Sequence, residues 1–133
     1  MTDAVVQLQN VHKVYRLGQV EVPALKGIDL QISAGEFAVI AGPSGSGKTT
    51  LLNLIGCVDT ASSGTVIVDG CDTGKLSEAK LTALRLERLG FIFQSFNLVS
   101  VLDAFDNVEF PLLLQGRLSR TERRNESKRS SMP

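Results

Sequence analysis

A chain of 133 residues is long enough to form one domain with a hydrophobic core. Hydrophobic residues make up 43% of it and charged residues 21%, which excludes a wholly disordered or fibrous protein. Its 14 basic and 14 acidic residues balance, so the net charge gives no reason to expect nucleic acid as a partner.

Two segments of alternating apolar residues open the chain and predict antiparallel strands. They are VVQLQNV, which starts at Val5, and IDLQI, in which Ile28, Leu30 and Ile32 share one face. The next segment, FAVIA at residues 37–41, is a continuous apolar run and predicts a strand buried on both faces. It leads directly into a glycine-rich stretch.

A helix is predicted after that stretch, because apolar residues recur at helical spacing after Lys48 and Gly56 provides a stop. The apolar positions are Leu51, Leu54, Ile55 and Val58. GTVIVDG at residues 64–70 then predicts a strand that ends in a turn at its Asp-Gly pair, and Ser77 predicts the N-cap of a second helix.

The last predicted elements are a buried strand at GFIFQ, residues 90–94, and a short helix from about Asp103. We expect Pro111 to disturb this helix, because proline lacks a backbone donor. Residues 117–133 carry six basic and two acidic residues, with Leu118 and Met132 as their only large apolar residues. Such a segment buries too little surface to offset its ordering entropy, so we predict a basic, disordered tail with at most a frayed helix before NESKRSSMP.

The cysteines and the chain start indicate a cytoplasmic protein. Cys57 and Cys71 fit neither a zinc site nor a redox pair by spacing, and both are expected to be buried thiols. The first residues lack a signal-peptide pattern, and no apolar segment approaches the roughly 18 residues that a membrane span requires. Any link to a membrane is therefore expected to come through a partner.

The glycine-rich stretch GPSGSGKTT, residues 42–50, has the spacing of a phosphate-binding loop in Gly42, Gly47, Lys48 and Thr49. Glycines allow backbone N–H groups to turn inward as an anion nest at a helix N-terminus. Lys48 would then reach the terminal phosphates, Thr49 would ligate Mg²⁺, and Thr50 would lie near the α-phosphate. The predicted nucleotide-binding set also includes Ser44, Gly45 and Ser46. The alternative is a plain turn that joins a strand to a helix.

These motifs, together with SSGTVIVDG and FIFQSFNLV, resemble the ATP-binding subunits of ABC transporters from about Val5 to about Arg124. NVEFPLLL and LSRTERR are similar to the branch that drives lipoprotein release and macrolide-type export. The resemblance implies an α/β fold: the N-terminal part of a P-loop NTPase domain over residues 1–116, with an antiparallel β subdomain and an incomplete parallel core sheet with helices. It also implies ATP and Mg²⁺ as cofactors and, for the full-length family, a head-to-tail dimer that two copies of this chain could not close.

The resemblance assigns three residues outside the loop. Gln94 corresponds to the family's Q-loop glutamine, which contacts Mg²⁺ and the attacking water; otherwise it is an ordinary polar residue at a strand end. Tyr15, the only tyrosine, matches the aromatic that stacks on adenine, and Val22 would flank the same pocket. A tyrosine near an N-terminal strand is alternatively a simple packing residue.

A further segment, residues 95–111, faces the transmembrane permease subunit in this family and would hold the protein at the inner membrane from the cytoplasmic side. It carries more apolar residues than a solvated loop needs. They are expected to form either core or a partner contact. The apolar residues are Phe96, Leu98, Val99, Val101, Leu102 and Phe105.

Several motifs that the family uses for hydrolysis are absent from this sequence: the signature LSGGQ, the aspartate and glutamate after a later strand, and a switch histidine. Asp69 is followed by Gly70 and matches an earlier turn instead. The simplest hypothesis is a premature stop or frameshift near Asn125 in a gene for a full-length ATPase. Without the missing strands, residues 37–41 would have unpaired edges, which favours aggregation.

We therefore expect an ATP-binding subunit of an ABC transporter that binds ATP weakly at most and does not hydrolyse it alone. The alternative is a non-catalytic nucleotide-binding module that docks on a permease through residues 95–111. A GTPase or small kinase is not supported, since no N-K-x-D motif or lid segment follows the loop.

Overall fold

The computed structural model describes residues 4–130. The chain divides into two compact units, residues 1–90 and residues 91–133. Residues 131–133 of the predicted tail, including Met132, lie outside the described residues. The boundary predicted after residue 116 stays a prediction.

The first unit is built on a long hairpin of β1 (Ala4–Leu17) and β2 (Val20–Ser33). These strands pair antiparallel, and β3 (Ser63–Val68) and β4 (Cys71–Asp72) extend the sheet in the order β2-β1-β3-β4. All three pairings are antiparallel. The predicted N-terminal strands are thus confirmed, although each is 14 residues long, longer than the alternating pattern indicated.

Helix α1 (Lys48–Ile55) begins directly after the glycine-rich loop and ends at Gly56, as the sequence predicts. Leu51 and Leu54 are buried against the sheet because they recur on one helical face. Val58 differs from the prediction, because it lies beyond the helix and is exposed. Cys57 is buried as expected, whereas Cys71 is only half-buried. The core residues are Val6, Leu8, Val11, Leu25, Leu51, Leu54, Cys57, Val66, Val68, Leu81 and Leu84.

The turn and cap predicted between the later elements are both present. Asp69 and Gly70 have φ of 48° and 74°, and these two positive angles are what a tight two-residue hairpin turn requires. After a 3₁₀ turn at Thr73–Lys75, helix α2 (Glu78–Arg88) starts at Ser77, whose hydroxyl accepts from the Lys80 N–H. The α/β class with an antiparallel subdomain is therefore confirmed.

Two predicted strands are wrong. Residues 37–41 and 90–94 are irregular, and Phe37 and Ile92 are almost fully exposed. Both segments have the composition of strands buried on two faces, and such strands need hydrogen-bonded neighbours. Within residues 4–130 no strand pairs with either segment, because the one sheet is formed by β1–β4.

The second unit contains α3 (Ala104–Gln115) and α4 (Arg120–Ser130). The prediction that Pro111 disturbs α3 is wrong, since the helix continues past it to Gln115. Pro111 removes one backbone donor, but residues on both sides of it remain helical. Within residues 4–130, no helix is both long and apolar enough to cross a membrane.

The predicted disorder of the tail differs from the structure, which has α4 over most of it. Ser119 and Glu122 form a capping box: the Ser119 N–H donates to Glu122 Oε2 at 2.8 Å, and the Glu122 N–H donates to Ser119 Oγ at 3.4 Å. Arg123 ties the helix to α3 through an ion pair with Glu109 at 3.3 Å, in which both side chains are mostly buried. The capping box and this ion pair therefore stabilise α4, although the helix has few apolar residues to bury.

Candidate nucleotide site

The glycine-rich loop follows a path that only glycine permits at one of its positions. Gly47 has φ of 92°, and a Cβ at this residue would lie 2.7 Å from the Ala24 carbonyl oxygen on β2. Side chains rarely adopt such an angle, and the contact leaves no room for one. The loop therefore passes directly against β2, which fixes where α1 begins.

The N-terminus of α1 presents free donors to the loop. Its N-cap, Gly47, has no side chain to accept a hydrogen bond, and no acidic residue lies in the first turn. The first backbone N–H groups of a helix lack partners within it, and the helix dipole adds a partial positive charge there. An anion such as phosphate is the group that a helix end of this kind binds.

The side chain of Lys48 places its ammonium group within the same loop. Its ammonium donates to the carbonyl oxygens of Gly42 at 2.8 Å and Pro43 at 2.7 Å, and to Ser46 Oγ at 3.3 Å. The loop thus curls around its own cation. A Cβ at Gly42 would lie 2.8 Å from Ser46 Oγ, so the serine hydroxyl would have to shift.

One open cavity of about 580 Å³ joins this loop to the β1–β2 hairpin. Its volume falls in the range of small-molecule sites. The structure brings Tyr15 and Val22 together with the loop, as the sequence predicts, although the stacking role assigned to Tyr15 stays a prediction. Pro23 and Ala24 also line the cavity, and no sequence motif predicted them as site residues. The lining residues are Tyr15, Val22, Pro23, Ala24, Ser44, Gly45, Gly47, Lys48, Thr49 and Thr50.

Tyr15 is held by a carboxylate that the sequence analysis did not single out. Its hydroxyl donates to Asp59 Oδ2 at 3.0 Å, and Lys13 Nζ lies 2.6 Å from Asp59 Oδ1. Burial raises the pKa of Asp59, but hydrogen bonds from Lys13, the Thr60 N–H and Tyr15 outweigh it and bring the net pKa below its usual value. Asp59 is therefore ionised in the folded protein at neutral pH. The sequence gives only a weak indication of this role, because Asp59 is simply one acidic residue shortly after the end of α1.

Gln94 lies in the second unit, in the irregular segment at residues 90–94, and its side chain is exposed. It does not close a buried strand, so that part of the prediction is wrong. Its role toward Mg²⁺ and water stays a prediction. Within residues 4–130, no group of three or more His, Cys, Asp or Glu is placed to hold a metal. Thr49, exposed in the first turn of α1, is the hydroxyl beside the loop that the predicted Mg²⁺ site requires.

A glycine-rich loop between β2 and an uncapped helix, with an aromatic side chain across the cavity, defines a P-loop nucleotide-binding domain. The sequence profile of the ABC transporter family matches residues 25–132. The chain therefore belongs to this family, as the resemblance of its motifs implied.

Individual relatives agree with this assignment. The ABC transporter ATP-binding protein MJ0796 of Methanocaldococcus jannaschii is 46% identical over 121 residues, which cover 90% of this chain and 52% of that protein. The macrolide export ATP-binding/permease protein MacB of Syntrophobacter fumaroxidans is 46% identical over 111 residues, or 84% of this chain and 16% of MacB.

The MJ0796 cassette has also been solved as a dimer in a post-hydrolysis state bound to ADP and Pi. It matches this chain with a TM-score of 0.86 and 45% identity, covering 93% of this chain and 54% of the solved one. The present chain spans about half the length of the first curated relatives that it matches.

Proposed function

We propose that this chain is the ATP-binding part of an ABC transporter subunit that couples ATP binding and hydrolysis to export or lipoprotein release. One observation carries the proposal: the cavity beside α1 unites an uncapped helix end, the ammonium of Lys48 and the ring of Tyr15. Free N–H donors and a cation fit phosphates, and a ring fits a base. The family membership supports this.

Within the proposed site, the loop from Gly42 to Thr50 holds the phosphates. Lys48 leaves the Gly42 and Pro43 carbonyls for the terminal phosphates. Thr49 holds Mg²⁺, which supplies neutralising charge when bound, and Thr50 lies near the α-phosphate. Tyr15 stacks on adenine, and Val22 flanks it.

For hydrolysis, Gln94 is proposed to contact Mg²⁺ and the attacking water. The sequence contains no LSGGQ signature and none of the acidic pair or the histidine that the family uses. These 133 residues by themselves are therefore expected to bind ATP weakly at most and not to turn it over. Full-length members of the family meet head to tail, and two copies of this chain are not expected to close such a dimer, because the signature that completes the opposite site is absent.

The test is calorimetric titration of the purified chain with Mg-ATP. Replacement of Lys48 by alanine should abolish measurable binding, because the variant removes the cation that faces the phosphates. Lys80→Ala, which removes an exposed lysine of α2, is the matched control and should bind like the unchanged chain. Equal affinity in all three proteins would overturn the proposal.

The second candidate is a non-catalytic module that docks on a transmembrane permease from the cytoplasmic side of the inner membrane. The observation that favours it lies in residues 95–111, where Phe96 is 94% and Val101 is 87% exposed. Apolar side chains left in solvent in this number are typical of a contact surface.

Membranes that contain the cognate permease would test the docking. The chain should be retained on them, and Phe96→Glu should release it. Leu17→Glu, at an exposed apolar residue on the hairpin tip, is the control and should not. Absence of retention would count against the module.

A further inference from the structure

The carboxylate of Asp59 is placed to fix the ring that faces the nucleotide base. It comes from the segment after α1, and its backbone N–H donates to the Asn53 carbonyl of that helix at 3.2 Å. Its two oxygens accept hydrogen bonds from different partners. Oδ1 accepts from Lys13 and from the Thr60 N–H, and Oδ2 accepts from the Tyr15 hydroxyl. Each oxygen therefore has a defined partner.

The part of the hairpin that carries Tyr15 has little other support. Pairing between β1 and β3 ends at His12 and Ser63, so from Lys13 to Leu17 the arm is two-stranded among the described residues. One further tie is the Val14 N–H, which donates to Ser62 Oγ at 3.0 Å. A two-stranded ribbon alone is marginally stable in water. The ring of Tyr15 therefore needs a tether to hold one position.

Lys13 completes the arrangement. Its ammonium is 2.7 Å from the Thr60 carbonyl and 4.9 Å from the centroid of the Tyr15 ring, and its side chain is only 12% exposed. Neither Lys13 nor Asp59 is among the described residues that line the cavity, whereas Tyr15 is. The two charged groups thus hold the ring without occupying the space for a base.

We propose that Asp59 is a positioning residue that locks the Tyr15 ring for the base of a nucleotide and so links the far end of α1 to base recognition. This rests on the proposed nucleotide site. Helix α1 then serves both ends of the ligand: its N-terminus faces the phosphates, and the segment after its C-terminus orients the ring.

A matched pair of ligands separates this role from a general effect on the loop. Inorganic tripolyphosphate offers the phosphates without a base, whereas Mg-ATP offers both. In the full chain, Asp59→Asn should weaken Mg-ATP binding by roughly three- to tenfold, a part of what base stacking contributes, and should leave tripolyphosphate binding unchanged. Glu21→Gln removes one carboxylate from an exposed ion pair on the same arm and should change neither.

A second variant avoids the risk that Asp59→Asn fails to fold. Tyr15→Phe deletes only the hydroxyl that donates to Asp59 and should reproduce part of the loss for Mg-ATP alone. The two effects should also be non-additive, because they remove the same contact. If Tyr15→Phe binds Mg-ATP like the unchanged chain, or if Asp59→Asn weakens both ligands equally, the positioning role is overturned.

The ring can also be followed without any ligand. The chain has one tyrosine and no tryptophan, so its emission reports Tyr15 alone when it is excited at wavelengths longer than those that phenylalanine absorbs. Loss of the carboxylate partner should change that emission in Asp59→Asn but not in Glu21→Gln, and an unchanged emission overturns the inference. If the unchanged chain binds neither ligand while the emission changes in Asp59→Asn, the proposed nucleotide site is wrong. The role of Asp59 in base positioning is then wrong as well.

Discussion

Among single residues, Gly47 meets the strictest requirement in the site. Both its φ of 92° and the 2.7 Å approach of the Ala24 carbonyl oxygen exclude a side chain. Gly45 has a similar φ of 80°, but a Cβ there would meet no atom within 4 Å. The loop motif predicts glycine at residue 47, but only the fold shows that β2 is the element against it.

The contrast between these two glycines predicts two different losses of stability. Gly45→Ala should lower the free energy of unfolding by about 1–2 kcal/mol, the cost of a side chain at positive φ. Gly47→Ala should cost more, because β2 must also move away from the new methyl group. Urea unfolding of the two variants checks this, and equal midpoints would contradict the steric argument.

Asp59 gives the protein an acid-sensitive contribution to stability. Its pKa in the folded state lies below the usual value of 3.8, so its contribution is full above that value and is lost as the pH falls through the folded pKa. Asp59→Asn should therefore be less stable than the unchanged chain at pH 7, and this deficit should shrink in acid.

Urea unfolding at a series of pH values measures that deficit. The comparison must be between the two proteins, because Asp72 and Glu122 also have a lowered pKa and add acid sensitivity of their own. For Asp72 the main cause is its hydrogen bond with Lys75, and for Glu122 it is the bond with the Ser119 hydroxyl. A deficit that is constant with pH would show that Asp59 acts without its charge.

At the scale of elements, the two helices of the second unit show how local chemistry decides order. Helix α3 starts at Asp103, whose carboxylate accepts from the Asp106 N–H at 2.8 Å. Helix α4 starts at the box of Ser119 and Glu122 described above. The sequence SRTE at residues 119–122 has the S-x-x-E pattern of a capping box, whereas the polar composition of the tail predicts disorder, and the local pattern prevails.

The capping box predicts which side chain orders α4. Ser119→Ala should reduce hydrogen-exchange protection along the first turns of the helix, because the hydroxyl no longer accepts from the Glu122 N–H. Thr121→Ala removes an exposed hydroxyl within the same turn and should preserve protection, since alanine favours helix. Equal loss in both variants would mean that the box does not order the helix.

Across the whole molecule, the main departure from an ordinary globular chain is apolar surface left in solvent. Phe37 and Val39 are exposed in the first unit, and Ile92 and Phe96 in the second. The first three belong to segments with strand composition but without strand partners. Exposed backbone donors beside apolar side chains are a template for association.

The purified chain is therefore expected to self-associate as its concentration rises. Ile92→Glu should weaken this association, because it places a charge within an unpaired segment. Leu17→Glu, at the exposed hairpin tip, should have a smaller effect. Light scattering across a concentration series measures both, and a monomeric unchanged chain at all concentrations would contradict the expectation.

The sequence by itself determined two antiparallel strands near the start of the chain, α1 with its stop, the Asp69–Gly70 turn and the Ser77 cap. These depend on interactions between residues close in the chain, and periodicity and capping report such interactions directly. It also determined the glycine-rich loop, and the resemblance to ABC transporter subunits implied that Tyr15 and Val22 lie beside it. The family match confirmed the resemblance that those motifs carried.

Only the tertiary structure decided which apolar segments become strands and what holds the ring at the site. Residues 37–41 and 90–94 read as strands, but a strand needs partners, and pairing is not encoded in the segment itself. Likewise Asp59 is 44 residues from Tyr15 along the chain, and their contact exists because the segment after α1 returns to β1. Contacts of that separation come from packing, which no local pattern records.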